Sequence, residues 1–418
     1  MAITKIKAKN FKSFRDLDIK LGKFNVIVGA NASGKSNFVH LFEFLRDIEG
    51  YDLENAISMQ GEIEFLRNLT LGSSPDLYIE ISSDSHIGFA MTIKSETIGI
   101  KSYETIYKFS LGHSTLKPGI RVKTDQLNSK CEFIKLKRDL RTGKFEEESI
   151  ISKGELLVKN DQGKIEIDFK NLKKIGLSNE SLFPPYFLEQ EFKQKLLLET
   201  LFFHMPLHFA EIFQEIAIYN IDPKMCRRAT PIKGKTDLEE DGCNLAFVLK
   251  NIIENKEKKR KFNNIIKDIL TFIEDLGIDR FADKSLLVKF REKYSQTKYL
   301  PASLVSDGTI NITALIVALY FETKELIIIE EPGKNIHPYL ISKVISMMKD
   351  VSNEKQILIT THNPEFLKNV DINDIILVSR DRYGFSKMCR PFEKEEVKLF
   401  LKNDMGVDEI YVKNLLEI

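Results

Sequence analysis

Phe24-Asn-Val-Ile-Val28-Gly29-Ala-Asn-Ala-Ser-Gly34-Lys35-Ser36-Asn37 is the stretch on which the fold turns. Its first five residues form an almost continuous apolar run ending at a glycine, the pattern of a strand buried on both faces of a parallel sheet. Gly29 to Ser36 satisfies G-x-x-x-x-G-K-[ST]. Phe38, Leu41, Phe42 and Leu45 then recur at helical spacing. Strand, glycine-bounded loop and helix are the context in which this motif cradles phosphates. Successive N–H groups from Asn31, Ala32, Ser33, Gly34 and Asn37 must curl around the anion, which demands glycine where φ is positive. Lys35 supplies charge to the β- and γ-phosphates, Ser36 offers a hydroxyl to Mg²⁺, and the helix N-terminus adds its dipole. The expected ligands are ATP and Mg²⁺.

Working outward, Ile3, Ile6 and Ala8, then Leu17, Ile19 and Leu21, alternate with polar residues at the period of half-buried strands. Short alternating runs such as Leu77–Ile81, Phe89–Ile93 and Lys164–Asp168 predict an antiparallel sheet between Leu77 and Phe169. It is either a lobe of its own or an extension of the first strands. From Leu188 to Leu276 the period reads as helical. One stripe passes through Leu245, Val248, Leu249, Ile252 and Ile253, and another through Phe262, Ile265, Ile266, Ile269 and Ile273. The charge run Lys256–Lys261 reads as a solvated turn or helix face, and no sustained heptad predicts a coiled coil.

After Leu300 the parallel pattern returns. A helix from near Asp307, a buried strand Leu326–Ile329, a helix from about His337 and a strand Gln356–Thr360 follow in order. Two short strands, Asp374–Val378 and Phe385–Met388, and a helix Lys394–Leu401 complete the reading. The phosphate-binding fold is therefore split around a long insertion. Glu330 and Glu331 follow the buried strand Leu326–Ile329, at the carboxyl end where open α/β sheets bind ligands. One carboxylate there holds Mg²⁺ through water, and the next orients and deprotonates an attacking water.

Hydrophobic residues make up 43% of the 418 and charged residues 29%, the composition of a globular rather than a disordered chain. A net charge of +1 gives no global attraction to nucleic acid or anionic lipid, so DNA contact is possible only through a local patch. Cys131, Cys226, Cys243 and Cys389 lack metal-ligand spacing. With no signal core and no membrane-length apolar run, a cytoplasmic protein without membrane contact is expected.

Taken together, the phosphate loop, Ser306-Asp307-Gly308-Thr309, Glu330-Glu331-Pro332, Thr360-Thr-His362-Asn-Pro364 and the opening Asn10-Phe11-Lys12-Ser13-Phe14 resemble the ABC-class ATPases of the SMC/RecF group. The nearest resemblance is to the compact ATPases related to overcoming-lysogenisation (OLD) and anti-phage defence proteins. In the middle of the chain only Asp241-Gly-Cys-Asn-Leu245 matches that group. The resemblance implies an α/β P-loop NTPase of ABC type with a mixed or parallel core sheet. An antiparallel β lobe and a helical lobe are inserted between the P-loop and the signature motif. The corresponding division is 1–75 and 300–418 for the two parts of the ATPase domain, 76–185 for the β lobe and 186–299 for the helical lobe.

The resemblance also implies residue roles. Ser306, Asp307 and Gly308 form the signature motif, which reaches across a dimer to the opposite γ-phosphate. His362 corresponds to the switch histidine that senses the γ-phosphate, and it is counted with Glu331 and Lys35 as catalytic. Lys12 and Ser13 lie near the nucleotide phosphates, and Ser36 and Glu330 bind the metal. Glu330 stands where relatives most often have Asp, and Lys334 stands where they usually have an acidic residue at the dimer seam. The metal-contacting glutamine has no clear counterpart, although Gln60 is a candidate. The implied partners are a second copy of the chain around ATP and a separate effector, a nuclease or toxin, because the stretch after His362 is short for a nuclease domain. A RecF-like DNA-repair ATPase and a slowly hydrolysing nucleotide-dependent scaffold are the alternatives.

Overall fold

A computed structural model of the chain describes residues 2–72, 75–84, 86–93, 96–113, 120–138, 145–178, 194–200, 211–281, 284–295 and 297–393. Strands β1 (Ile3–Phe11), β2 (Phe14–Lys20) and β3 (Phe24–Val28) open the chain, followed by helices α1 (Lys35–Gly50), α2 (Leu53–Met59) and α3 (Glu62–Leu66). Six strands come next: β4 (Leu77–Ser83), β5 (His86–Ile93), β6 (Glu96–His113), β7 (Ile120–Arg138), β8 (Phe145–Asp161) and β9 (Lys164–Lys170). Beyond them lie β10 (Ile216–Tyr219), β11 (Thr230–Pro231), α4 (Leu245–Glu254), α5 (Lys256–Ile269), β12 (Ile273–Phe281), β13 (Ser285–Glu292) and β14 (Leu300–Pro301). The last stretch holds α6 (Asp307–Tyr320), β15 (Leu326–Glu330), α7 (Pro338–Val351), β16 (Gln356–Thr361), β17 (Ile375–Arg380) and β18 (Ser386–Cys389). The helix expected over Lys394–Leu401 lies outside the described residues.

The alternating strands form one antiparallel sheet ordered β2-β1-β4-β6-β7-β8-β9, with β5 beside β6. This is the extension of the first strands rather than a separate sheet. The join is made by β1, whose Ile6 faces Ile19 of β2 on one side and Ile81 of β4 on the other.

The split sheet runs β10-β15-β16-β3-β17-β18 and is parallel except for β18. Its strands read as unbroken apolar runs because each face meets a different core. Ile27, Ile328 and Leu358 pack into the core shared with α1 and the antiparallel sheet. Val26, Val28, Ile327, Ile329, Ile357 and Ile359 pack into the core shared with α4 to α7. A parallel sheet covered on both sides needs apolar residues at every position, not at alternate ones. Register places Val28 opposite Thr361 and Thr360 opposite Glu330, so three strands end level at one edge.

The helical reading holds for α4, where Leu245, Val248, Leu249 and Ile252 are buried, and for α5, where Phe262, Ile266 and Ile269 are buried. It fails at Ile273, which begins β12. The stretch 186–299 also holds β10 to β13, so its expected helical character is corrected. The missed signal was the two-residue alternation of Leu286, Val288 and Phe290, all buried on β13. The run Lys256–Lys261 forms the solvent-facing first turns of α5.

Candidate active site

The phosphate loop leaves β3 at the level edge of the sheet and enters α1. Ala32 (φ 62) and Gly34 (φ 118) are left-handed, the turn that aims successive N–H groups into one concavity. Gly34 is also pinned by space, since a Cβ there would stand 2.3 Å from Ser386 Oγ. Lys35 Nζ donates to the carbonyls of Gly29 (2.7 Å) and Ala30 (3.0 Å). Burial holds this ammonium below its ordinary pKa, while Glu331 and Glu330 nearby act in the opposite sense. A buried cation held by the loop's own carbonyls is placed to pair with an incoming phosphate.

Two β17–β18 residues brace the loop. Arg380 Nε donates to the Ala32 carbonyl (2.7 Å), and Ser386 Oγ lies 2.6 Å from the Ser33 carbonyl and 2.7 Å from Ser13 Oγ. Ser13 Oγ also accepts from Asn37 Nδ2 (2.8 Å), so Ser13 sits against the loop and the first turn of α1. Lys12 (φ 45) follows a different course. Burial lowers its pKa against the pull of Glu43, and its charge is felt at His40. The His40 imidazole is pushed down to about 4, by burial first and Lys12 second. Both partners belong to the middle of α1, past the loop. Asn31, Ala32 and Ser36 are exposed at the loop's open side.

Ser36 Oγ donates to Glu330 Oε2 at 2.9 Å. A hydroxyl and a carboxylate this close are the hard oxygen donors that Mg²⁺ takes, and the longer glutamate reaches them. Gln60 is elsewhere: it caps α2 and hydrogen-bonds Glu43, two helical turns from Ser36. Glu331 adopts φ 45, held there by its own N–H donating to the Thr360 carbonyl (2.8 Å) and its carbonyl accepting from Lys334 N–H (3.0 Å). Its Oε2 accepts from Thr361 Oγ1 (3.1 Å), and its Oε1 lies 2.6 Å from His362 Nδ1. A non-glycine residue held in this region carries backbone strain that recurs at catalytic positions.

Ser306, Asp307 and Gly308 form a second cluster at the start of α6. Ser306 caps that helix by accepting from Thr309 N–H (3.2 Å), and Asp307 pairs with Arg227. Gly308 packs so closely on the loop after Glu331 that a Cβ would stand 2.5 Å from the Asn335 carbonyl. Asn311 donates to the Lys334 carbonyl (2.7 Å), and Lys334 itself is exposed. Among the described residues, no hydrogen bond or ion pair joins Ser306–Gly308 to the phosphate loop.

Asp241–Leu245 forms a turn tied to its neighbours in the chain. Asp241 Oδ1 accepts from Cys243 N–H (2.9 Å), and Asn244 Oδ1 accepts from Glu239 N–H (2.8 Å). Arg380, Ser386, Thr361 and Asn311 were given no role in the sequence reading. Thr361 lay inside the Thr360–Pro364 motif, and Asn311 is a polar residue within the apolar run of α6.

Among the described residues, no group of three or more His, Cys, Asp or Glu is placed to hold a metal ion, and no helix is long and apolar enough to cross a membrane. The strand order, with β16 between the loop strand β3 and the carboxylate strand β15, and the attached antiparallel sheet, make an ABC-type P-loop ATPase fold. Similar solved structures include an SMC head bound to the C-winged helix domain of ScpA, at 17% identity and TM-score 0.49, over 93% of this chain and 98% of that one. The SMC head domain from Thermotoga maritima aligns at 15% and 0.40, over 93% and 99%. The SMC head with an extended coiled coil bound to the C-terminal domain of ScpA derived from Pyrococcus furiosus aligns at 15% and 0.48, over 96% and 99%. An uncharacterised protein of Methanocaldococcus jannaschii is 25% identical over 93 residues, so the match spans 22% of this chain and only 24% of that relative's length. A family model described as “AAA domain, putative AbiEii toxin, Type IV TA system” matches residues 24–368, more than half of the chain, and the protein belongs to this family of AAA-type ATPase domains.

Proposed function

We propose that this chain binds ATP with Mg²⁺ and hydrolyses it in a site completed by a second copy, passing the resulting movement to a separate effector protein. One observation carries the reading. Lys35, Ser36, Glu330, Glu331 and His362 converge at the level strand ends, while Ser306–Gly308 packs against the loop after Glu331 instead. A helix N-terminus with a serine hydroxyl is an anion site, and here it is presented away from its own phosphate loop.

In this reading the backbone of Asn31–Asn37 and the Lys35 ammonium hold the phosphates. Ser36 and Glu330 hold the metal, which would neutralise charge on the phosphate oxygens. Glu331, fixed by Thr361 and His362, accepts a proton from the attacking water. His362 Nδ1 keeps Glu331 Oε1 in place, and its exposed ring is positioned to respond to the terminal phosphate. Ser306 and Gly308 of the second copy close the site. The family description, which names a toxin of a toxin–antitoxin system, supports a role in defence.

Mg²⁺-dependent phosphate release by the purified chain, with Lys35→Ala and Glu331→Gln alongside and mass photometry in parallel, tests the reading. Turnover lost in both variants, with Glu331→Gln trapped as an ATP-bound dimer, supports it. A strict monomer with ATP removes the shared site. A slowly hydrolysing scaffold is the second reading, favoured by the exposed Lys334 on the loop that Asn311 and Gly308 hold. Tight ATP binding with no turnover would select it.

A further inference from the structure

We propose that the β17–β18 turn is the platform on which the purine base of the bound nucleotide stacks, with Tyr383 and Arg382 as the contacting pair. This rests on the nucleotide reading above and names a part of that site which the phosphate-binding residues do not specify.

The direction of the ligand follows from the sheet order. Glu331 and His362, at the ends of β15 and β16, mark where the terminal phosphate reacts. The loop after β3 wraps the phosphates next to them. The ligand therefore runs away from β15 and across β3, and the next strands in that direction are β17 and β18. Both ends of the turn joining these strands are bonded to the loop. Arg380 reaches the Ala32 carbonyl at 2.7 Å, and Ser386 lies 2.6 Å from the Ser33 carbonyl.

The turn is held in shape by Asp381. Its Oδ1 accepts from the N–H groups of Tyr383 (2.9 Å) and Phe385 (3.1 Å), and its own N–H donates to the Phe385 carbonyl (2.9 Å). At the tip, Tyr383 is 64% exposed and the Arg382 guanidinium lies 4.8 Å from its ring centroid. The neighbouring Phe385 is buried under Arg15 and presents no free face. Of the large exposed aromatic residues among those described, Tyr383 is the one whose turn is bonded directly to the phosphate loop. An exposed ring beside a planar cation, fixed next to an anion cradle, fits a flat heteroaromatic ring carrying a phosphate tail.

The test compares binding of the β,γ-imido analogue of ATP and of inorganic tripolyphosphate, by calorimetry, to the wild-type chain, Tyr383→Ala and Tyr383→Phe. Expected is a loss of about tenfold in affinity for the ATP analogue in Tyr383→Ala. Tyr383→Phe restores it, and tripolyphosphate affinity stays unchanged throughout. Equal affinity of wild type and Tyr383→Ala for the ATP analogue overturns the platform while leaving the nucleotide site standing. So does an equal loss of both ligands, which would make the turn only a brace for the loop. A wild-type chain that binds neither ligand removes the nucleotide reading itself.

Discussion

Glu331 Oε1 lies 2.6 Å from His362 Nδ1, joining the residue after one buried strand to the residue after its neighbour. The pair is adjacent because β15 and β16 are parallel and in register, with Glu330 opposite Thr360. The contact leaves the carboxylate with two fixed partners and one preferred orientation, as a base that must meet a water requires. Glu331→Gln keeps the shape and removes the basicity. Turnover should fall by about a hundredfold or more, with the dissociation constant for ATP changed little. His362→Ala should lower kcat less, since Thr361 Oγ1 still holds Glu331. Steady-state phosphate release and equilibrium nucleotide binding on the same preparations check both.

Metal dependence should track the Ser36–Glu330 pair. Ser36→Ala removes one oxygen donor and Glu330→Gln one charge, so each should raise the Mg²⁺ concentration needed for half-maximal turnover. ATP binding in the absence of metal should be far less affected, because Lys35 and the loop N–H groups remain. A Mg²⁺ titration of phosphate release measures the shift. An unchanged titration in both variants would remove these residues from the metal site.

Gly308→Ala tests the packing between the two clusters. The added methyl would stand 2.5 Å from the Asn335 carbonyl, a backbone atom that can yield only if the loop after Glu331 moves. The expected cost is about 1–3 kcal/mol of stability, together with a drop in turnover, since the same loop carries Glu331. Denaturant unfolding and phosphate release report the two effects. Thr309→Ser, one residue on and buried, should change both less.

Far from the site, Asp125 predicts a pH dependence of stability. It is buried, and burial pushes its carboxyl up to about 7, with Glu199 adding to the rise. The Leu197 N–H, the Tyr107 hydroxyl and the Asn160 amide act against it. An unfolded aspartate titrates near about 4. Between those two values the folded chain therefore keeps a proton that the unfolded chain has released. Stability from this group is full below the unfolded pKa and is lost as pH rises toward 7, with a slope of at most about 1.4 kcal/mol per pH unit. Asp125→Asn should flatten the profile across that window. Denaturant midpoints measured from pH 5 to pH 8 in wild type and variant give the comparison.

The phosphate loop, the buried strands around it and the carboxylate pair were legible in the sequence, because each is a local pattern with a local cause. A strand covered on both faces must be apolar throughout, and a loop that wraps an anion turns through positive φ, which glycine takes at Gly34 although Ala32 also adopts it. The antiparallel strands were legible too, from their alternation, but their attachment to β1 was not. A strand's period shows which face is buried and does not name its neighbour. The short β10 was lost inside a helical reading for a similar reason, since four apolar residues satisfy either period.

What only the tertiary structure decided is which distant residues meet. Gln356 donates to the carbonyls of Ile3 and Gly22 and accepts from Ile3 N–H, closing the split fold across 353 residues. Arg380 and Ser386 reach the loop from strands that follow it by more than 300 positions. Ser306–Gly308 was recognisable as a motif, but its seat on the Asn335 carbonyl, apart from its own phosphate loop, was not. Such contacts depend on strand order and register, which arise when two cores close on the two faces of one sheet. That closure is a property of the packed chain, and no spacing within the sequence encodes it locally.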